Sequence, residues 1–211
     1  MYDWNGKTLQ QLLEMPVKPS VLITRDGMLE YRGYNQMSVD LGFHTTLSKN
    51  DTAIAEFIEK IDREFDFVMI TEYMEESLVL LANLMGWPLE YVAHLDLNVR
   101  PPESDSYTLT ERDKNIIMDL NHVDTLLYFH FLNKFQKCLR QYDEDKMKHQ
   151  IRQLRALNEE LKERCVNETF IGDLNTYNPK KIIKYIPKSQ SDRECVYSMT
   201  VDLGLNTSPG V

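Results

Sequence analysis

The 211-residue chain has few of the features that mark fibrous, disulfide-rich or membrane-spanning proteins. Eight glycines and eight prolines exclude collagen-like and low-complexity architectures. Three cysteines are too few for a disulfide scaffold, and no run of about 18 apolar residues is present to span a membrane. Negative charge also outweighs positive charge. The 24 Lys and Arg face 33 Asp and Glu, and the net charge of −9 argues against a nucleic-acid partner.

The chain is nevertheless apolar enough to fold. Hydrophobic residues make up 42% and charged residues 27%, which excludes a disordered protein and fits one domain or slightly more. The N-terminus lacks the basic and apolar regions of a secretory signal, so a complete protein of this sequence would be cytosolic. Glycosylation sequons at Asn50 and Asn167 point to a secretory compartment instead, although chance produces a few sequons in a chain of this length.

Apolar periodicity in the N-terminal half predicts an α/β fold. The face formed by Ile54, Phe57, Ile58, Ile61 and Phe65 predicts a helix with Thr52 as its N-cap. The apolar run 67–70 then predicts a strand buried on both faces, and 78–85 predicts a second helix that ends at Gly86. Helix, buried strand and helix in this order favour a parallel sheet.

Shorter elements surround this unit. A capping-box spacing predicts a helix over 8–14, and this interpretation is favoured over a phosphate loop at Gly6-Lys7-Thr8, because the required upstream glycine is missing. A short strand is predicted at 21–24 with a turn at Asp26-Gly27, and another strand at 93–97.

The C-terminal half is predicted to be mainly helical up to residue 165. One long helix is predicted over 111–141 and another over 143–165. The second helix carries an apolar stripe: Met147, Ile151, Leu154, Leu157 and Leu161. Packing within the same chain is the favoured interpretation, and a coiled-coil seam is the alternative. Residues 166–211 are polar and are predicted to be loop-rich.

Three carboxylates follow the predicted strand 67–70. Glu72, Glu75 and Glu76 lie at its carboxyl end, where open α/β sheets bind ligands, so they are candidates to hold sugar hydroxyls or to act as a general base. The competing interpretation is that acids favour the first turn of a helix.

Other chemical groups give weaker signals. His122 and His130 are eight residues apart and the cysteines have no zinc spacing, so no metal site is predicted. His130 is expected to be partly buried and hydrogen-bonded, and Cys138 to be a buried free thiol. The lysines and arginine between 180 and 193 favour a solvated tail over an anion site.

A longer string resembles a known family. Residues 65–81, Phe-Asp-Phe-Val-Met-Ile-Thr-Glu-Tyr-Met-Glu-Glu-Ser-Leu-Val-Leu-Leu, resemble a strand–turn–helix of the galactose-3-O-sulfotransferases. Further matches, covering roughly residues 8–200, are spread along the chain: Asn35-Gln36-Met37 with Asp40-Leu41-Gly42, Leu97-Asn98 with Arg100, the helix residues Asp124, Leu127, Tyr128, His130, Phe131 and Phe135, and Leu154-Arg155 with Asn158.

The resemblance implies a fold and an activity. The fold would be an incomplete sulfotransferase-like, P-loop-type parallel sheet with a helix-rich C-terminal half. Family members transfer a sulfuryl group from the co-substrate 3′-phosphoadenosine 5′-phosphosulfate to the 3-hydroxyl of a terminal galactose on glycolipids or glycoproteins. They are Golgi membrane proteins with a lumenal catalytic domain, and a Cys165–Cys195 disulfide would suit that lumen.

The chain departs from the family pattern on the donor side. It carries no His-Lys-Thr-Gly-Ser-type donor loop, no Arg-Glu-Pro segment for the 3′-phosphate and no membrane anchor. Residues 1–200 are therefore interpreted as the C-terminal portion of a sulfotransferase domain, with 201–211 a flexible tail and no catalytic residue assigned. The alternatives are a non-catalytic paralogue that binds glycans, forms a homodimer or pairs with a full-length relative, and a cytosolic interaction protein that uses helix 143–165.

Overall fold

The computed structural model describes residues 21–25, 28–32, 34–97, 99, 109–175 and 178–199. They divide between two units, one built from the described residues between 21 and 72 and between 109 and 141, and the other from those between 73 and 99 and between 142 and 199. The predicted helix 8–14, the turn at Asp26-Gly27 and the tail 201–211 lie outside the described residues. No helix in the described part of the chain is long and apolar enough to cross a membrane.

The first unit joins one strand pair to four helices. Strands β1 (Val21–Arg25) and β2 (Met28–Arg32) pair antiparallel, with Ile23 opposite Glu30, and β1 confirms the predicted strand at 21–24. The helices are α1 (Gln36–Asp40), α2 (Asp51–Glu64), α4 (Glu111–Leu120) and α5 (His122–Gln141), and the intervening α3 (Met74–Met85) belongs to the second unit. The predicted face of α2 is buried at Ile54, Phe57 and Ile61.

Two boundaries in this unit differ from the sequence prediction. The N-cap of α2 is Asn50, not Thr52, because the Asn50 side chain accepts a hydrogen bond from the amide of Ala53 at 3.1 Å. The predicted helix 111–141 is broken at Asn121 into α4 and α5. The Asn121 side chain donates to the carbonyl of Ile117 and ends α4, so a polar side chain competes with the helix backbone at this point.

The second unit contains α3 (Met74–Met85), α6 (Glu144–Cys165), α7 (Arg193–Met199) and the hairpin β3 (Val166–Asn175) and β4 (Asn178–Pro187). Gly86, in the left-handed conformation at φ 66°, ends α3 as predicted. Along α6, Met147, Leu154 and Leu161 are buried, and α6 contacts α3 and the short helix Leu89–Val92. The stripe is therefore core of this unit and not a coiled-coil seam.

The prediction of a loop-rich segment after residue 165 is wrong. Strands β3 and β4 pair antiparallel, with Ile171 opposite Ile183, and α7 follows them. Both described strand pairs are antiparallel, so the expected parallel sheet does not form within the described residues. The segments predicted as strands at 67–70 and 93–97 run outside regular secondary structure, because a strand exists only where a neighbouring strand supplies hydrogen-bond partners.

Candidate functional site

A cavity of about 610 Å³ lies in the first unit, and its lining is mainly apolar. Four segments build it: α1 with Leu41 after it, the last turn of α2, the segment from Phe65 to Glu72, and the middle of α5. Its lining residues are Met37, Leu41, Ile61, Phe65, Phe67, Val68, Met69, Ile70, Thr71, Glu72, Leu127, Tyr128 and Phe131. Its polar side-chain groups are those of Thr71, Glu72 and Tyr128. An apolar lining with a few polar groups is typical of pockets that bind mostly apolar ligands and orient them through polar contacts.

The segment Phe67–Ile70 forms one wall of the cavity. Ile70 is buried, and the three residues before it are half-buried. Phe67 packs near Phe135 of α5, with ring centroids 6.3 Å apart. The backbone groups of residues 67–69 form no hydrogen bond with other described residues. The burial of this apolar segment agrees with the sequence prediction, while the predicted strand pairing is absent among the described residues.

Glu72 is the sequence-predicted acid that lines the cavity. It lies in a short helical turn, Thr71–Tyr73, directly after the apolar wall. Its carboxylate accepts a hydrogen bond from the hydroxyl of Tyr128 at 3.2 Å. Tyr128 was singled out by the family pattern only, and without that pattern a tyrosine on an amphipathic helix gives no sign of its partner.

Glu75 has a different environment, within the second unit. Arg155 of α6 donates two hydrogen bonds to its carboxylate, Nε to Oε1 at 2.7 Å and Nη2 to Oε2 at 2.6 Å. The guanidinium holds the pKa of the Glu75 carboxyl below its usual range. Glu76, also in the first turn of α3, is half-buried. The structure therefore places Glu72 on the cavity, while Glu75 ties α3 to α6.

The sequence also matches a known protein family. A family model described as galactose-3-O-sulfotransferase matches residues 8–196. The chain belongs to the galactose-3-O-sulfotransferase family. Galactosylceramide sulfotransferase from Bos taurus is 30% identical over 148 residues, which cover 67% of this chain and 35% of the bovine protein. The protein of the same name from Homo sapiens is 28% identical over 164 residues, covering 78% of this chain and 38% of the human one.

A third relative is galactose-3-O-sulfotransferase 3 from Mus musculus, 32% identical over 137 residues that cover 64% of this chain and 32% of the mouse protein. The chain thus spans about a third of the length of the curated relatives it matches. No solved structure gives a significant match.

Asn35 and Asp124 each cap the helix that begins near the other residue. Both belong to the residues that resemble the galactose-3-O-sulfotransferase pattern. The Asn35 Oδ1 atom accepts hydrogen bonds from the amides of Val123 at 2.9 Å and Asp124 at 3.2 Å, at the start of α5. In return, the Asp124 carboxylate accepts from the amides of Met37 at 3.1 Å and Ser38 at 2.8 Å, at the start of α1. Both helices line the cavity, so these caps position its walls.

His130, another residue of the family pattern, lies beside Asp62. Its Nε2 atom is 3.4 Å from Asp62 Oδ1 and is not aligned for a hydrogen bond, so the expectation of a hydrogen bond is not met at this nitrogen. Lys134 also pairs with Asp62. The hydrogen bond from Lys134, more than the neighbouring His130, lowers the pKa of the Asp62 carboxyl.

Two of the three cysteines form a disulfide, and the asparagines of two sequons are exposed. Cys165 and Cys195 are joined by a disulfide, with their Cα atoms 5.1 Å apart, and they are buried together with Leu95 and Leu161. The prediction of a buried thiol at Cys138 is wrong, because this free cysteine on α5 is exposed. Asn50 and Asn167 are both exposed.

Proposed function

We propose that this chain provides the galactose-binding side of a galactose 3-O-sulfotransferase. The reaction transfers a sulfuryl group from 3′-phosphoadenosine 5′-phosphosulfate to the 3-hydroxyl of a terminal galactose on a glycolipid or glycoprotein. Family membership sets the reaction class, and the hydrogen-bonded Glu72–Tyr128 pair on the cavity carries the assignment of the site. Glu75 and Glu76 remain candidates of lower rank, since Glu75 already accepts two hydrogen bonds from Arg155.

The chemistry of the cavity suits a sugar that carries an apolar chain. A carboxylate accepts hydrogen bonds from sugar hydroxyls, and a tyrosine hydroxyl both donates and accepts. When the galactose oxygen bonds to sulfur, the bond from sulfur to the phosphate oxygen breaks and the hydroxyl proton needs an acceptor. Glu72 is our candidate for that acceptor. The apolar lining next to it would receive the lipid chain of a glycolipid.

Binding of the donor is assigned to residues outside these 211. Sulfuryl transfer needs amide donors and a cation on the leaving phosphate, and the family segments that supply them have no counterpart in this sequence. We propose that residues 1–200 act as the C-terminal part of a sulfotransferase domain, with 201–211 as a flexible tail. In that domain Phe67–Met69, which lack backbone partners among the described residues, would pair within a parallel P-loop-type sheet.

A Golgi lumenal location belongs to the same proposal. The disulfide between Cys165 and Cys195 fits an oxidising compartment. Asn50 is exposed and uses Oδ1 for its helix cap, which leaves Nδ2, the atom that carries an N-linked glycan, available for modification. Asn167 is exposed at the start of β3. Both sites stay predictions until glycopeptides are analysed.

Binding of matched glycosides tests the proposal. Octyl β-galactoside should bind the chain, as followed by NMR titration, and octyl β-glucoside should bind more weakly because one hydroxyl points the other way. Glu72→Gln should raise the galactoside Kd about tenfold or more, since a hydrogen bond to a charged group is lost. The control is Glu56→Gln, an exposed carboxylate on α2 that does not line the cavity.

Two outcomes would count against this assignment. If Glu72→Gln leaves the galactoside affinity unchanged, the site lies elsewhere. If galactoside and glucoside bind equally, the cavity selects the alkyl chain and not the sugar. Specific galactoside binding without sulfation, even when a full-length relative supplies the donor site, would support the alternative role of a non-catalytic glycan-binding paralogue.

A further inference from the structure

An exposed apolar patch surrounds the end of α3 in the second unit. Four large side chains within eight residues are exposed: Leu84 by 58%, Met85 by 51%, Trp87 by 42% and Tyr91 by 73%. We call this set the Trp87 patch. It belongs to the second unit, whereas the cavity of the proposed function belongs to the first, and the inference does not depend on that function.

The sequence around the patch carries no charge. From Ser77 to Leu89 there is no Asp, Glu, Lys or Arg, in a chain of which 27% is charged. The inner side of α3 explains part of this run, because Ser77, Val79 and Ala82 are buried. It does not explain the outer side, where a helix end exposed to water normally carries polar or charged residues. The absence of charge therefore extends to the exposed surface.

Backbone hydrogen bonds close the turn at the end of α3. Gly86 donates to the carbonyl of Asn83 at 3.3 Å and Trp87 to that of Ala82 at 2.8 Å, the two bonds of a Schellman cap. Pro88 has no amide hydrogen, and Tyr91 donates to the Pro88 carbonyl at 3.1 Å. These bonds hold the turn that presents Trp87 in one conformation.

We propose that the Trp87 patch docks on the surface of a neutral lipid bilayer. Trp and Tyr concentrate at membrane interfaces, where the ring lies among acyl chains and its polar end faces water. Lys146, whose Nζ is 3.2 Å from the Asn83 side chain, lies where it can meet a lipid phosphate. The exposed acids Glu90 and Asp145 would repel an anionic surface, whereas Glu144 is already paired with Lys148, so the charge pattern favours zwitterionic lipid.

Tryptophan fluorescence gives a direct test, because the chain has two tryptophans. In a Trp4→Phe background, Trp87 is the sole tryptophan of the full 211-residue protein. Phosphatidylcholine vesicles should shift its emission to shorter wavelength, and bromine atoms on the upper acyl chain should quench it. The double variant Leu84→Ser/Tyr91→Ser should bind vesicles at least tenfold more weakly in sedimentation. Leu47→Ser, an exposed apolar site of the other unit, serves as the matched control.

Three results would overturn the proposal. The first is a Trp87 emission that does not shift when vesicles are added and is not quenched by brominated lipid. The second is vesicle binding that the double variant retains, or that requires anionic lipid and disappears in high salt. The third is a concentration-dependent doubling of mass, abolished by the double variant, which would assign the patch to a second copy of the chain. Thermal unfolding followed by circular dichroism checks that the variants fold.

Discussion

Glu72 and Glu75 show how position decides the role of one residue type. Both lie in the acidic stretch that the sequence marks as a candidate site, yet Glu72 lines a cavity and accepts from Tyr128, while Arg155 engages both oxygens of Glu75. Sequence spacing predicts that carboxylates gather after the wall segment. It cannot predict their partners, because Tyr128 and Arg155 are 56 and 80 positions away in the chain.

The reciprocal caps lead to a prediction about single residues. Asp124→Ala removes the acceptor for two backbone amides at the start of α1, and we expect a loss of about 1–3 kcal/mol in the free energy of unfolding. Urea denaturation measures this change. Asp40→Ala, an exposed acid at the end of the same helix, should change stability by less than about 0.5 kcal/mol. Equal effects of the two variants would show that the cap does not stabilise the helix.

The ion pair between Lys134 and Asp62 should make the stability of the protein depend on pH. Because Lys134 lowers the pKa of this carboxyl in the folded state, the charged form contributes stability above the unfolded pKa of about 3.9, and this contribution is lost as the pH falls through the folded pKa. The stability difference between wild type and Asp62→Asn should therefore be largest above about pH 5 and disappear in acid. In a Lys134→Met background the difference should shrink. A difference that is constant with pH would contradict the ion pair.

At the scale of elements, helices were predicted better than strands. A helix closes its hydrogen bonds within itself, so the apolar periods of α2, α3 and α6 were sufficient to locate them. The segment 67–70 has the composition of a buried strand, but strand formation requires a neighbour that the described residues do not supply. The hairpin β3–β4 was missed although the sequence holds a usable signal, namely the apolar pairs Phe170-Ile171 and Ile182-Ile183 on either side of a polar, asparagine-rich stretch.

The disulfide provides a test at the level of elements. It closes a loop of 30 residues that contains the hairpin and connects α7 to the end of α6. Replacing Cys165 and Cys195 by Ala should lower the free energy of unfolding by about 3–4 kcal/mol on the chain-entropy account. Cys138→Ser, at an exposed free thiol, should have almost no effect. An unchanged midpoint in urea for the double variant would show that the hairpin and α7 are held by packing alone.

For the whole molecule, the decisive question is how donor and acceptor functions are divided. The chain corresponds to about a third of each curated relative, and its described residues hold the cavity with Glu72 and Tyr128. The family was identifiable from the sequence because the string at 65–81 is long. The apolar cavity was not, since it depends on how α1 and α5 are oriented by the Asn35 and Asp124 caps.

Donor binding gives the last prediction. Phosphosulfate recognition depends on backbone amides converging on phosphate oxygens, assisted by a cation, and an isolated lysine does not replace such a loop. We therefore expect 3′-phosphoadenosine 5′-phosphate to produce no saturable heat in calorimetry with the 211-residue chain, while a full-length galactosylceramide sulfotransferase serves as the positive control. Micromolar binding, equivalent to about 8 kcal/mol, would require a complete donor site within this sequence. Catalytic residues would then have to be sought here as well, beginning with groups that approach the Glu72 carboxylate.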